Sequence, residues 1–191
     1  MRRNAFSLIE LLVAISIASA LLTATISVYS LFRKATNKDQ SHSDTVQSGR
    51  VALDRLSREI RQTPDIRTIF PDNASDTSPA QPGEIEFEDG DEGNPATDLT
   101  YRHYYVTGGA LTLEVRECFF VGQNIRVHWN DVDSNGNPAT CQTIAGSTQV
   151  IAQNVLSMVL YGRKPLQIIL TTQDLTGQTY VLRTSITSRN L

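Results

Sequence analysis

Glu10 opens a run, residues 11–32, that is otherwise apolar and uncharged. A carboxylate at that depth in hydrocarbon is costly unless an opposite charge neutralises it, so its chemistry is that of one half of an ion pair. Other groups able to react or to ligate are few. Cys118 and Cys141 are the two cysteines, 23 positions apart. Outside the cytoplasm a disulfide is their default state, and such a loop contributes ~3 kcal/mol in the chain-entropy model. The alternative, zinc held with His103 or His128, lacks the close Cys or His pair that zinc sites use. Asp131, Asp133 and Asn135 place side-chain oxygens at alternate positions ahead of Gly136. That spacing lets the oxygens converge on a hard cation such as calcium while the glycine makes the sharp turn.

The run Asp131-Val-Asp-Ser-Asn135-Gly136-Asn137 matches the first half of the calcium loop of EF-hands. Gln142 stands where the bidentate glutamate belongs, and no EF-hand helices flank the loop. The same residues also make a good turn without any ion, which is the simpler reading. Calcium is the one cofactor that the sequence raises. A second acidic stretch, residues 84–98, carries seven carboxylates and no Lys or Arg. Its end, Gly93-Asn-Pro-Ala-Thr97, recurs as Gly136-Asn-Pro-Ala-Thr140. A solvated acidic loop explains it more simply than a metal site shared between the two loops. No nucleophile elbow, phosphate-binding glycine loop or metalloprotease helix occurs, so no catalytic residue is assigned and the chain reads as a non-enzyme.

These groups must be positioned by a small set of elements. Residues 11–32 rise ~33 Å as a helix and match a hydrocarbon core of ~30 Å. Arg33 and Lys34 close the far end and nearly cancel the charge asymmetry offered by Arg2 and Arg3, so charge alone leaves the orientation open. A secretory signal peptide is a rival, with Arg2 and Arg3 as its basic region and Ala18-Ser19-Ala20 as its cleavage site. Against it, Glu10 interrupts the apolar core and the run continues past Ala20. A plain single-pass anchor explains the length but leaves Glu10 without a reason. Ala14/Ala18 and Ser16/Ala20 have the small-xxx-small spacing that lets helices approach closely.

No proline precedes Pro64, so the helix is free to continue beyond the membrane surface. Val46, Leu53, Leu56 and Ile60 then form one helical face, with Arg50/Asp54, Asp54/Arg58 and Arg55/Glu59 as opposite charges four apart on the exposed side. Thr63-Pro64 is a stop signal. After a loop rich in Asp, Ser, Asn and Pro, strand-like segments with period two follow at 84–88, 99–106, 110–116, 124–129, 166–170 and 180–187. Gly108-Gly109 signals a hairpin, and Asp174-Leu-Thr-Gly177 turns the last pair. The expected class is α+β: a long N-terminal helix whose amphipathic half lies on a mainly antiparallel sheet.

The segment Ala5-Phe6-Ser-Leu-Ile-Glu10-Leu-Leu-Val-Ala-Ile15 resembles the cleavage and methylation segment of type IV pilins and type II secretion pseudopilins. The resemblance implies that a prepilin peptidase removes residues 1–5 on the cytoplasmic side and that the new amino terminus, Phe6, is N-methylated. Glu10 is then the fifth residue of the mature chain, where the family keeps its glutamate. In such filaments that glutamate faces the charged amino terminus of a neighbouring subunit. Where the family usually has glycine before the cut, this chain has Ala5, which is also small. Val51-Ala-Leu-Asp-Arg-Leu-Ser-Arg-Glu-Ile-Arg61, the 99–113 hairpin and the ending Leu182-Arg-Thr-Ser-Ile-Thr-Ser-Arg-Asn190 resemble the larger minor pilins and J-type pseudopilins. That likeness implies a low-copy subunit which primes or caps assembly.

The resulting organisation is a leader (1–5), a transmembrane helix half (6–32), an amphipathic helix half (33–63) and one extracytoplasmic sheet domain (64–191). The expected location is the bacterial cytoplasmic membrane, crossed once, with the amino terminus cytoplasmic before processing. Pilus or pseudopilus follows after assembly. Expected partners are other pilin or pseudopilin subunits, the prepilin peptidase/N-methyltransferase and membrane lipid. The formal charge of −3 becomes −5 when the leader takes two arginines with it, which disfavours nucleic-acid binding through a basic surface. Two rivals remain. One is a membrane-tethered binding module, calcium-dependent or not, that never polymerises. The other is an extracytoplasmic hydrolase, which needs an activity that depends on Asp131 or Asp133.

Overall fold

The computed structural model describes residues 8–74, 82–90, 99–162 and 164–187. Its helix is α1 (Leu8–Gln62), and its strands are β1 (Glu84–Glu88), β2 (Tyr101–Thr107), β3 (Ala110–Phe119), β4 (Thr140–Thr143), β5 (Gln149–Gln153), β6 (Val155–Tyr161), β7 (Leu166–Gln173) and β8 (Thr179–Ile186). The class is α+β, one long helix with antiparallel sheets. The chain divides into two compact units, residues 1–42 and 43–191.

The first unit holds the apolar part of α1, which is long and apolar enough to cross a membrane. Six of its serine and threonine hydroxyls bond the helix's own backbone. Ser16, Thr23, Thr25 and Ser27 each donate to the carbonyl four residues back at 2.8 Å. Ser19 and Ser30 donate to carbonyls three residues back, at 2.9 and 2.8 Å. Polar side chains that close on their own backbone enter hydrocarbon without the cost of an unsatisfied donor.

In the second unit the last turns of α1 bury Thr45, Gly49, Ala52, Leu53, Leu56, Ser57 and Ile60. These positions recur at three and four residues, the face of a helix that lies on a core. Val46 is only half-buried. The helix instead comes close to the sheet at Gly49, where an added Cβ would lie 2.5 Å from Leu182 Cδ1 and 3.3 Å from Thr172 Cγ2. Glycine is what lets the helix sit that near to β7 and β8. After Gln62 the chain turns at Thr63, whose hydroxyl lies 2.7 Å from Asp65 O and 2.6 Å from Glu88 O.

Two sheets complete the core. In the first, the order is β1-β2-β3, and the far edge of β3 pairs with β4 and with β5. Between them, the Ser147 hydroxyl accepts from Val115 N and donates to Val115 O, both at 3.1 Å, and bridges the break in the ladder. The second sheet is the meander β6-β7-β8. Ile85, Phe87, Tyr104, Leu111, Leu113, Leu160, Leu166, Ile168, Leu170 and Ile186 join Leu56 and Ile60 in one buried cluster. Each such side chain contributes ~1.5–3 kcal/mol when fully buried.

The β2–β3 turn follows the Gly108-Gly109 signal, with φ of +56° and +76° that suit glycine. Asp174 to Gly177 turns β7 into β8. Three features depart from the sequence expectation. The sheet is split in two, and β4, β5 and β6 are additional strands. The segment 124–129 is not a strand, because its ladder is limited to the Phe119–Arg126 bridge and the bond from Val127 N to Cys118 O at 3.0 Å. Tyr101, pairing with Arg116, already claims that edge of β3 two residues further along.

Candidate functional site

Of the residues expected to direct processing and assembly, Ala5 and Phe6 lie outside the described residues. Glu10 lies in the first turn of α1 and its side chain is exposed. A helix start carries partial positive charge from its unpaired N–H groups, which favours a carboxylate there. A carboxylate there can pair chemically with a cation.

In the second unit, Cys118 and Cys141 face one another in the β3–β4 register and form a disulfide with a Cα–Cα distance of 4.0 Å. Both sulfurs are thus committed to each other, which removes the zinc alternative. The intervening loop folds over the polar face of the first sheet. Trp129 is the centre of that contact: its backbone N donates to the Tyr101 hydroxyl at 3.1 Å and its Nε1 to Asp65 Oδ2 at 3.1 Å. Arg67 stacks over the ring at 5.5 Å. His128 Nδ1 lies 3.3 Å from Glu88 Oε2. Leu99, Tyr101 and Cys118 form a small apolar cluster beneath, against Trp129 and Ala139.

Asp131, Asp133 and Asn135 share one turn of this loop, and their polar atoms are used locally. Asp131 Oδ2 accepts from His128 N at 2.8 Å. Asp133 Oδ1 accepts from Asn135 N and Asn137 N, both at 2.8 Å, and its Oδ2 accepts from Asn137 Nδ2 at 3.0 Å. The Asn137 side-chain amide, reinforced by these backbone donors, holds the Asp133 carboxyl below its ordinary value. Among the described residues, no three His, Cys, Asp or Glu side chains gather as metal ligands would.

The acidic stretch opens with β1, as its alternation predicts, but two of its carboxylates are not solvated as a loop's would be. Glu86 and Glu88 are buried there, 8% and 6% exposed. Arg67 and Arg116 approach Glu86 Oε2 at 2.9 and 3.4 Å. A strand's alternation turns these carboxylates to the face covered by Arg67, Arg116 and His128, and so they are paired rather than hydrated. Residues 91–98, with the first Gly-Asn-Pro-Ala-Thr copy, lie outside the described residues.

A second correction concerns Arg55 and Glu59, expected on the solvated side of the helix. The pair closes at 2.9 Å, but Glu59 is turned onto the sheet with its side chain 10% exposed. Arg102 Nη1 reaches the same oxygen at 2.7 Å and Asp89 at 2.8 Å through Nη2, while the Tyr104 hydroxyl donates to Glu59 Oε2 at 2.5 Å. Burial works against the Arg102 charge, but the bond to Asp89 and the Glu59 carboxylate outweigh it and hold the guanidinium above its ordinary value. Burial, and then the bond to Glu59, push the Tyr104 hydroxyl up so that it stays a donor. Sequence spacing paired Arg55 with Glu59 but held no sign that β2 supplies the other two partners.

Residues 1–26 match the family model described as the prokaryotic N-terminal methylation motif. No curated protein and no solved structure matches the chain. The chain therefore carries the amino-terminal segment of the prepilin cleavage and methylation type, followed by a long apolar helix and antiparallel strands.

Proposed function

We propose that this chain is a non-catalytic minor pilin or pseudopilin subunit that takes part in priming or capping a type IV pilus or a type II secretion pseudopilus. A prepilin peptidase cuts between Ala5 and Phe6, and Phe6 is N-methylated. The single observation that carries this reading is the methylation motif over residues 1–26 with Glu10 at the head of the apolar helix. After the cut, Glu10 is the fifth mature residue, and the charged amino terminus of a neighbouring subunit supplies its cation. A buried pair of this kind adds little net stability, but removal of one member strands the other at ~3–5 kcal/mol, so it selects register. The sheet domain, outside the cytoplasm, presents the surface that other subunits meet.

Glu10→Ala tests the proposal. The variant is expected to insert in the membrane and be cut, yet fail to co-purify with pilin-like subunits or join a filament. Normal assembly of the variant, or a wild-type protein that brings no pilin-like subunit with it, leaves the non-polymerising tethered module as the better account.

A further inference from the structure

Asn135 is the one asparagine in the chain that is followed by glycine. That pair has a chemistry of its own. The backbone nitrogen of the next residue is placed to attack an asparagine side-chain amide, and glycine, which has no Cβ, leaves that nitrogen the least obstructed approach. The other nine asparagines precede Ala, Lys, Pro, Ile, Asp, Val or Leu. A side chain at the second position hinders the attack, and proline has no amide proton to lose.

The fold sets this pair where the reaction has room. Residues 134–138 are exposed and form the tip of a small hairpin closed by the Val132–Pro138 bridge. Asp133 N donates to Asn137 O at 2.9 Å, and Gly136 N donates to Asp133 O at 3.0 Å, a single turn bond that must open to free the attacking nitrogen. Gly136 has a φ of +81°, and a Cβ built on it would meet no atom within 4 Å among the described residues. No packed side chain has to yield when the tip opens. The related pair Asp89-Gly90 is placed differently. Arg102 Nε and Nη2 both hold Asp89 Oδ2 at 2.8 Å, and a carboxylate is a poorer target for a nucleophile than an amide. The Gln62 backbone also crowds the chain at Gly90.

We propose that Asn135 is a site of spontaneous modification, which deamidates through a cyclic imide in the folded protein. The Gly136 nitrogen gives its proton to hydroxide and bonds to Asn135 Cγ. The Cγ–Nδ2 bond breaks, and the departing nitrogen takes a proton from water and leaves as ammonia. Water then opens the ring at either carbonyl, which yields aspartate, or isoaspartate with the main chain routed through the former side chain. Either product adds a carboxylate in line with Asp131 and Asp133, in a turn where Asp133 Oδ1 already accepts from Asn135 N and Asn137 N, so the tip gains like-charge repulsion. Isoaspartate also lengthens the backbone between Asp133 and Gly136 and takes the bond from Gly136 N to Asp133 O out of register. The tip therefore becomes more acidic and looser as the protein ages. The inference does not depend on the filament reading, since a tethered module would carry the same pair.

The test uses the full-length protein in detergent micelles, held at neutral and at mildly alkaline pH, with a parallel sample unfolded in guanidinium. Peptide mapping by mass spectrometry at intervals reads conversion at each asparagine. In the folded sample Asn135 is expected to convert ahead of every other asparagine, to aspartate and isoaspartate together, and faster at the higher pH because the attacking nitrogen must lose its proton. Gly136→Ala is expected to slow conversion on the order of tenfold through its Cβ. Asn135→Gln keeps the amide and the backbone but needs a larger ring, and is expected to show no conversion over the same period. A folded protein that leaves Asn135 intact while the unfolded sample converts it overturns the proposal. Conversion of another asparagine at an equal rate, or a rate that neither variant changes, overturns it as well.

Discussion

The Tyr104 hydroxyl donates to Glu59 Oε2 at 2.5 Å and so joins β2 to the last turns of α1 through a carboxylate that also holds Arg102 and Arg55. Three side chains from two elements converge on one little-exposed anion. Loss of the anion leaves two guanidinium groups and a hydroxyl facing each other. Glu59→Ala is therefore expected to cost about 2–4 kcal/mol, below the deepest buried pairs because Arg102 and Arg55 stay 21% and 31% exposed. Tyr104→Phe removes one bond and is expected to cost ~1 kcal/mol. Thermal unfolding of each variant and of the double variant checks this, and additive costs would show that the two groups are not coupled.

Gly49 makes a graded prediction. Leu182 Cδ1, the nearest atom to an added Cβ, ends a flexible side chain and can swing away, whereas Thr172 Cγ2 at 3.3 Å yields less. Gly49→Ala also gains ~1 kcal/mol of helix propensity, so it should leave stability within ~1 kcal/mol of the parent. Gly49→Leu has no such room and is expected to cost ~1–3 kcal/mol. Equal behaviour of the two variants in chemical denaturation would contradict the tight approach of α1 to β7 and β8.

Asp174 predicts an acid-sensitive turn. Its Oδ1 accepts from the Thr176 hydroxyl at 2.7 Å, Thr176 N at 2.8 Å and Gln178 N at 3.0 Å, and its Oδ2 from the Tyr180 hydroxyl at 2.9 Å. Led by the Thr176 hydroxyl, these donors depress its pKa to about 2. A folded-state value below the unfolded one contributes stability that is fully present above pH ~4 and is lost as pH falls toward 2. The unfolding temperature should drop through that window, and Asp174→Asn should flatten the drop while lowering stability at neutral pH.

The disulfide and Trp129 give an optical readout, because Trp129 is the one tryptophan in the chain. Cys118→Ser with Cys141→Ser should destabilise by ~3 kcal/mol and loosen the loop that carries the indole. Its emission should then shift to the red as Asp65, Arg67 and Tyr101 are exchanged for water. Emission identical to the parent would mean that the loop docks without the bond.

The Asp131–Asn137 turn is predicted to stand without an ion. Both Asp133 oxygens already accept from Asn135 and Asn137. Chelator should leave the unfolding temperature unchanged. A rise on addition of calcium that Asp133→Asn abolishes would establish the ion instead.

Sequence periodicity carried much of this fold, and its failures have local causes. β7 alternates cleanly between buried and half-buried positions and β1 alternates in sequence, while the paired positive-φ glycines mark the β2–β3 hairpin. β6 is apolar at nearly every position, which leaves no alternation to read. β4 is a polar four-residue segment held opposite Cys118 by the disulfide, and β5 is barely longer. The segment 124–129 alternates like a strand but finds its edge already claimed by Tyr101. On the helix, the buried face was legible from Leu53, Leu56 and Ile60. Gly49 and Thr45 were not, because small and polar residues give no hydrophobic signal. The ion-pair hub was half visible: spacing along α1 pairs Arg55 with Glu59, but the contributions of Arg102 and Tyr104 depend on a register that forms only when β2 meets the helix. Glu10 was the clearest mark, since a lone carboxylate at the head of an apolar span has few physical uses.

Mass spectrometry of the mature amino terminus, on protein isolated from its own membrane, tests the central claim most directly. The account predicts a chain that begins at Phe6 and carries one added methyl group on its amino nitrogen. A chain that retains residues 1–5, unmethylated, would contradict it.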